Sequence, residues 1–260
     1  MKRKNKVVVV GLGEIGKPMF QLISDRHNVV GVDISPVEQI DQVDVMHVCY
    51  PFQIKNFIGE TVRYIDHFRP ALTVINSTVS VGTTRAIAER SGAAVVNSPV
   101  RGKHARMQED LKFYTKFVGA IDPAAAEQAA EHFASIGMKV TVLSSPEATE
   151  LAKLTETTYF GLMIAWAQEL ERYCDQSEQN YEEIISFYDE IKFFPLVKYF
   201  PGVIGGHCVM PNIGILSQFN QSVMLEAIRA SNRLKIERDT QRKEAELIAS
   251  SVNTAEKIAV

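Results

Sequence analysis

The chain has 260 residues, 46% of them hydrophobic and 23% charged, with a formal net charge of -3 at pH 7. That balance suits a folded globular protein of one large or two smaller domains. It supplies neither an overall basic field for nucleic acid nor a run of about 18 apolar residues to span a membrane.

Lys6–Val10 is a short β-branched run and reads as a buried strand. Gly11-Leu12-Gly13-Glu14-Ile15-Gly16 follows at once, and Lys17–Ser24 then has helical apolar spacing. Strand, glycine turn and helix form the setting that a GxGxxG dinucleotide motif needs. The glycines bring backbone close to a pyrophosphate, and the helix N-terminus favours its charge. Asn28–Val32 is a second strand ending in Asp33, 17 residues beyond Gly16. A carboxylate there meets ribose hydroxyls and repels a 2′-phosphate, which points to NAD over NADP. Gly11, Gly13, Glu14, Ile15, Gly16 and Asp33 are therefore the first cofactor-binding candidates.

Asp44–Val48, Thr73–Asn76, Ala94–Asn97, Lys116–Gly119 and Lys139–Leu143 read as further strands. Gln53–Phe68, Thr83–Arg90 and a helix capped by Asp122-Pro123 run between them. Only about ten residues, Ile34–Val43, separate the second and third strands, short for a crossover helix. In an open parallel sheet, ligands sit beyond the carboxyl ends of the strands. That adds Pro51, Ser77 and Thr78 to the cofactor set, with Ser98-Pro99 beside them.

At Ser145-Pro146-Glu147 the pattern turns helical and persists to about Cys174. Tyr181–Ile191 and Asn220–Ile248 are further predicted helices, and Ser250–Val260 is expected to be disordered. The expected architecture is an α/β Rossmann-like domain, 1–145, followed by an all-α domain, 146–260, with a long central helix. Trp166, Leu162, Leu170 and Tyr173 give that helix more apolar surface than a small domain covers, so a homodimer through it is expected.

Cys49, Cys174 and Cys208 form no CxxC, which suggests reduced thiols, a cytoplasmic setting and no zinc site. The basic opening Met1–Lys6 imitates a signal peptide, but Glu14 breaks the apolar run too early. Cys49 and Cys174 read as packing residues. Cys208 stands in Gly205-Gly206-His207-Cys208-Val209-Met210-Pro211-Asn212, read as an irregular loop. A cationic neighbour, His207 or Lys153, would favour its thiolate. Lys153 and Thr157 share a helix face, and Glu150 is placed to pair with Lys153. His47, His67 and His132 read as ordinary members of strand and helices, while His104 falls in a loop at a strand's carboxyl end.

Several of these segments together resemble the UDP-glucose/GDP-mannose dehydrogenase family, in particular its UDP-N-acetylhexosamine dehydrogenase branch. They are the glycine turn, Gly31-Val32-Asp33, Asn76-Ser77-Thr78-Val79, Asn97-Ser98-Pro99, Glu150-Leu151-Ala152-Lys153-Leu154 and Gly205-Gly206-His207-Cys208, in family order. The resemblance implies oxidation of a nucleotide-sugar primary alcohol to a carboxylate with two NAD. It implies Cys208 as nucleophile, Lys153 as stabiliser of oxyanions and Thr78 as a residue that positions water. Where the family carries Glu after Ser-Pro, Asn four after the lysine and Asp four after the cysteine, this chain has Val100, Thr157 and Asn212. His104 aligns with a second family carboxylate. The resemblance covers about the first two-thirds of the family's length, and the family's C-terminal nucleotide-sugar domain is expected to be lacking. A substrate smaller than a UDP-sugar, or one held by a partner chain, follows from that expectation. Two other readings remain open from the residues: a β-hydroxyacid dehydrogenase type using Lys153 alone, and a non-catalytic NAD-binding protein.

Overall fold

The computed structural model describes residues 4–33, 40–102, 106–191, 200–206, 208–219 and 221–258, and their side chains except at 189 and 249–258. The chain divides into two compact units, Met1–Leu154 and Thr155–Val260.

The first unit is built on seven strands: β1 Lys6–Val10, β2 Asn28–Val32, β3 Val45–Val48, β4 Leu72–Ile75, β5 Val95–Asn97, β6 Lys116–Ala120 and β7 Val140–Leu143. Their order is β2-β1-β3-β4-β5-β6-β7, and every pairing is parallel except β5 with β6. The expected Rossmann-like sheet is thus present. An interior place in the sheet, between β2 and β3, explains the unbroken valine run of β1. Val7 and Val9 enter one apolar core, Val8 and Val10 the other. Successive side chains point to opposite faces, and both faces are covered.

The helices of this unit are α1 Gly16–Ser24, α2 Phe57–Phe68, α3 Thr83–Ser91, α4 Met107–Phe113 and α5 Pro123–Ser135, and α6 Pro146–Gln176 begins in it. Asp122 accepts the Ala124 N–H and Pro123 opens α5, as the sequence predicts. The α2 helix starts at Phe57, after Asn56 caps it by accepting the Gly59 N–H. That is later than the predicted start at Gln53. The α4 helix is unpredicted and short; its Met107 and Leu111 join the core.

The second unit holds the rest of α6, then α7 Tyr181–Ser186, α8 Val209–Phe219 and α9 Val223–Ile258. The α8 helix corrects the expectation of an irregular exit from the glycine turn. Pro211 falls in its first turn, where a missing N–H costs nothing. The α9 helix continues to Ile258 and takes in most of the expected disordered tail. A Cβ on Gly161 would stand 2.7 Å from Val209, so glycine allows α8 to start hard against α6.

Candidate active site

In the first unit the strand order reverses at β1: β2 lies on one side and β3 on the other. A crevice at such a switch point, beyond the carboxyl ends of the strands, is where open α/β sheets hold ligands. Gly11–Gly16 leaves β1 at this point. Gly11 has φ +89°, and a Cβ on it would lie 2.7 Å from the Tyr50 nitrogen. A Cβ on Gly16 would lie 1.7 Å from the Gly11 carbonyl oxygen. Both positions require glycine to close the turn onto β3 and α1. Gly13 is different, since a Cβ there meets nothing within 4 Å and faces open space. The first turn of α1 carries no acidic residue and no side-chain cap. Of its first amides, the Lys17 N–H donates to the Gly13 carbonyl at 3.1 Å and Pro18 carries no N–H, so an anion here would meet the glycine turn and the helix dipole. Asp33 is exposed just after β2, and Pro51 and Glu14 are exposed as well. These features fit a dinucleotide: tight glycines, an open approach over Gly13, a helix N-terminus and a carboxylate after the second strand.

The exits of β3, β4 and β5 are tied together beneath this edge. The Ser77 hydroxyl donates to the Tyr50 carbonyl at 2.6 Å, linking the β4 exit to that of β3. Thr78, next in line, is half-buried. Lys116 opens β6 with only 4% of its surface exposed. Its ammonium donates to Asn76 Oδ1 at 3.2 Å, the Ser98 carbonyl at 2.5 Å and the Pro99 carbonyl at 3.3 Å. Three donors meet three acceptors. Burial lowers its pKa to about 7, against a weaker opposing effect of Cys49, and the charge of Lys153 lowers it further.

The chain of bonds continues inward. With its oxygen facing Lys116, Asn76 presents its amino group to His47 Nδ1 at 3.0 Å. His47 Nε2 then carries the proton toward His132 Nε2, 2.9 Å away. That ordering leaves the proton of His132 on Nδ1, which finds no hydrogen-bond partner among the described residues. Both imidazoles are kept neutral, chiefly by burial; His47 is held well below the ordinary value and His132 at about 4. The sequence reading placed these histidines in strand and helix correctly, but missed the network. A lysine opening a strand carries no sequence mark of burial.

Lys153 is half-buried on α6 in the first unit. Glu150, one turn earlier, is buried, and its two carboxylate oxygens accept the N–H groups of Gly82 at 2.7 Å and Thr84 at 2.8 Å. It thus caps α3 from another helix, a role its spacing to Lys153 did not suggest.

In the second unit, Cys208 is exposed and stands immediately before α8, its carbonyl accepting the Asn212 N–H. The Asn212 side chain donates to Thr157 Oγ1 at 3.1 Å, and both residues are buried. Two of the positions that depart from the family pattern, Thr157 and Asn212, are therefore in contact with each other. His104 and His207 lie outside the described residues. Among the described residues no group of three or more His, Cys, Asp or Glu could hold a metal. No described helix is long and apolar enough to cross a membrane.

A seven-stranded, mostly parallel sheet with a glycine turn at its switch point, followed by helices, defines a Rossmann-like α/β fold with a helical C-terminal region. Residues 147–234 match the model of the UDP-glucose/GDP-mannose dehydrogenase family, central domain. A UDP-N-acetyl-D-mannosamine dehydrogenase of Methanococcus vannielii is 24% identical over 255 residues, 78% of this chain and 59% of that protein. The chain thus spans about three-fifths of that relative's length. The UDP-D-ManNAc dehydrogenase structure from Pyrococcus horikoshii superposes with a TM-score of 0.76 at 22% identity, covering 96% of this chain and 72% of that one. The 3-hydroxyisobutyrate dehydrogenase of Mycobacterium tuberculosis gives 0.69 at 16% identity, covering 90% and 94%. These two likenesses are of fold.

Proposed function

We propose that the chain acts, by itself or as part of a longer protein, as an NAD-dependent oxidoreductase that oxidises an alcohol of a sugar or nucleotide sugar. The observation that carries this is the glycine turn at the switch point, open over Gly13, with the exposed Asp33 just past the end of the neighbouring strand β2. The activity for which relatives such as the Methanococcus vannielii protein are named, UDP-N-acetyl-D-mannosamine dehydrogenase, supports the substrate class. Residues 1–145 form the NAD-binding domain in this reading, and 146–260 the helical domain that brings the cysteine.

Gly11, Gly13 and Gly16 keep side chains away from the pyrophosphate, with the backbone at Glu14 and Ile15 meeting it. Asp33 takes the ribose hydroxyls. Pro51, Ser77 and Thr78 line the strand exits. When bound, NAD supplies the hydride acceptor. Lys153 stabilises the negative charge that develops on the substrate oxygen. Cys208 would attack the aldehyde carbon, its proton passing to the carbonyl oxygen, to form a thiohemiacetal; loss of a second hydride, for which a second NAD would be the acceptor, would give a thioester that water hydrolyses to the carboxylate and the free thiol. Thr78 positions that water. Thr157 and Asn212 bring no carboxylate to the proton transfers, so those fall to His104 or His207. Without them the reaction ends at the aldehyde.

The α6 helix is the dimer contact in this reading, because Tyr159, Trp166 and Tyr173 recur at seven-residue spacing and each is half exposed or slightly more. Light scattering tests it, and a monomer at working concentrations counts against it. The activity is tested by following NADH formation across a panel of sugar nucleotides and small hydroxy acids. Turnover of a sugar nucleotide is expected. Turnover of hydroxy acids alone would replace this reading with a β-hydroxyacid dehydrogenase, and failure to bind NAD would remove it.

A further inference from the structure

We infer that Asn232 and Gln168 are positioning residues for Cys208: two buried side-chain amides clamp the backbone at Gly202 and Ile204, shortly before the thiol. The inference rests on the reading of Cys208 as a nucleophile.

The stretch 200–206 has no regular secondary structure, so its backbone polar groups need partners from elsewhere. Asn232, on α9, provides them on both sides of one residue. Its Oδ1 accepts the Ile204 N–H at 2.7 Å, and its amino group donates to the Ile204 carbonyl at 3.0 Å. One side-chain amide thus pairs with Ile204 as a neighbouring strand would. Gln168, on α6, donates to the Gly202 carbonyl at 2.8 Å and to Asn232 Oδ1 at 3.3 Å. Ser231 donates to Gln168 Oε1 at 3.0 Å and fixes which way that amide points. All three side chains are buried.

Two amides in a helical core cost desolvation that apolar residues would not. A fully bonded network repays that cost by specifying one arrangement. Here the arrangement specified is that of the chain just before the thiol. Ile204 is buried, while Gly205, Gly206 and Cys208 are exposed, and Gly206 turns with φ +75°. The far side is clamped too. Asn212 bonds to Thr157, and Val209 sits against Gly161. Cys208 is held between two anchors, Ile204 and Asn212, that are set by α6 and α9. A nucleophile gains from such fixing, because small misplacements lose much of the rate. Cys49 and Cys174 are buried, so Cys208 is the thiol that a reagent in solution meets.

The test uses the full chain with Asn232→Ala, Gln168→Leu and the milder Asn232→Asp, which keeps the acceptor for the Ile204 N–H. Deuterium exchange across 203–208, capture of Cys208 by iodoacetamide and steady-state kinetics are measured together. Asn232→Ala is expected to speed exchange in that stretch by at least about tenfold and leave the β1–α1 region unchanged. It should also change the capture rate, and lower kcat by about tenfold or more with the calorimetric Kd for NAD within about twofold. Asn232→Asp should fall between it and the wild type. Unaltered exchange and capture in Asn232→Ala and Gln168→Leu would overturn the inference. So would a kcat that falls only in proportion to the folded fraction. If the wild type itself shows no turnover, the nucleophile reading fails, while exchange and capture still decide whether the amides hold the thiol.

Discussion

Replacing Lys116 with methionine isolates the energetic effect of burying a cation under the strand exits. Burial is the main cause that lowers its pKa from 10.5 to about 7. In the unfolded chain the amine titrates near the ordinary value. Between those two values the unfolded chain binds a proton that the folded chain does not, so stability rises with pH across that window. Below about pH 7 both forms are protonated and the full cost of burial is felt. A shift of that size corresponds to about 5 kcal/mol in all, at about 1.4 kcal/mol per unit. Cys49 opposes the shift, while the three bonds to Asn76, Ser98 and Pro99 hold the amine in place. Between about pH 7.5 and 9.5 the wild type should therefore gain roughly 2–3 kcal/mol relative to Lys116→Met, whose methionine does not titrate. Comparing the two proteins cancels the other titrating groups. Urea unfolding followed by far-UV circular dichroism at the two pH values measures the difference. Parallel behaviour of the two proteins, within about 0.5 kcal/mol, would show that Lys116 stays charged and refute the reasoning.

Four further outcomes follow from named contacts. His132 is held at about 4 by burial, with the charge of His27 adding to it, so stability should fall as pH drops from about 6.5 toward 4. His132→Phe should be less stable at pH 7, where His47 loses its acceptor, yet show a flatter acid limb by roughly 2–3 kcal/mol, read by urea unfolding. Gly16→Ala should destabilise the fold by several kcal/mol, on the order of the largest single-site effects, because its Cβ collides with the Gly11 carbonyl. Gly13→Ala should fold normally and lose at least about tenfold in NAD affinity by calorimetry, since its Cβ enters the open approach. Glu150→Ala strips the acceptors from the Gly82 and Thr84 N–H groups and should cost about 2 kcal/mol in the same unfolding assay.

The parts of the fold that the sequence made legible are those governed by local rules. The valine run of β1, the glycine turn and the Asp122-Pro123 start of α5 depend on periodicity, φ and capping, and each was placed from residues alone. The α8 helix was not, because Gly-Gly before it and Pro211 within it suggest a loop until the first-turn position of the proline is known. Lys116, His47, His132 and Asn76 come from β6, β3, α5 and the end of β4, so no spacing in the chain announces that they meet. Asn232 and Gln168 are hidden for the same reason, at positions 64 residues apart. Glu150 showed its helical neighbour Lys153 in the sequence, but its bonds reach across 66 and 68 residues to the start of α3. Local signals identify a cofactor fold; long-range polar contacts decide how its edges are held.

The central claim is an NAD-dependent oxidation that uses the Cys208 thiol. Its most direct measurement is the rate of NADH formation from a sugar nucleotide by the wild type and by Cys208→Ala, both first shown to bind NAD with the same affinity. The account predicts NADH formation by the wild type and a loss of about a hundredfold or more from the overall oxidation in the variant. Equal rates in the two proteins, or NAD binding with no turnover in either, would contradict it.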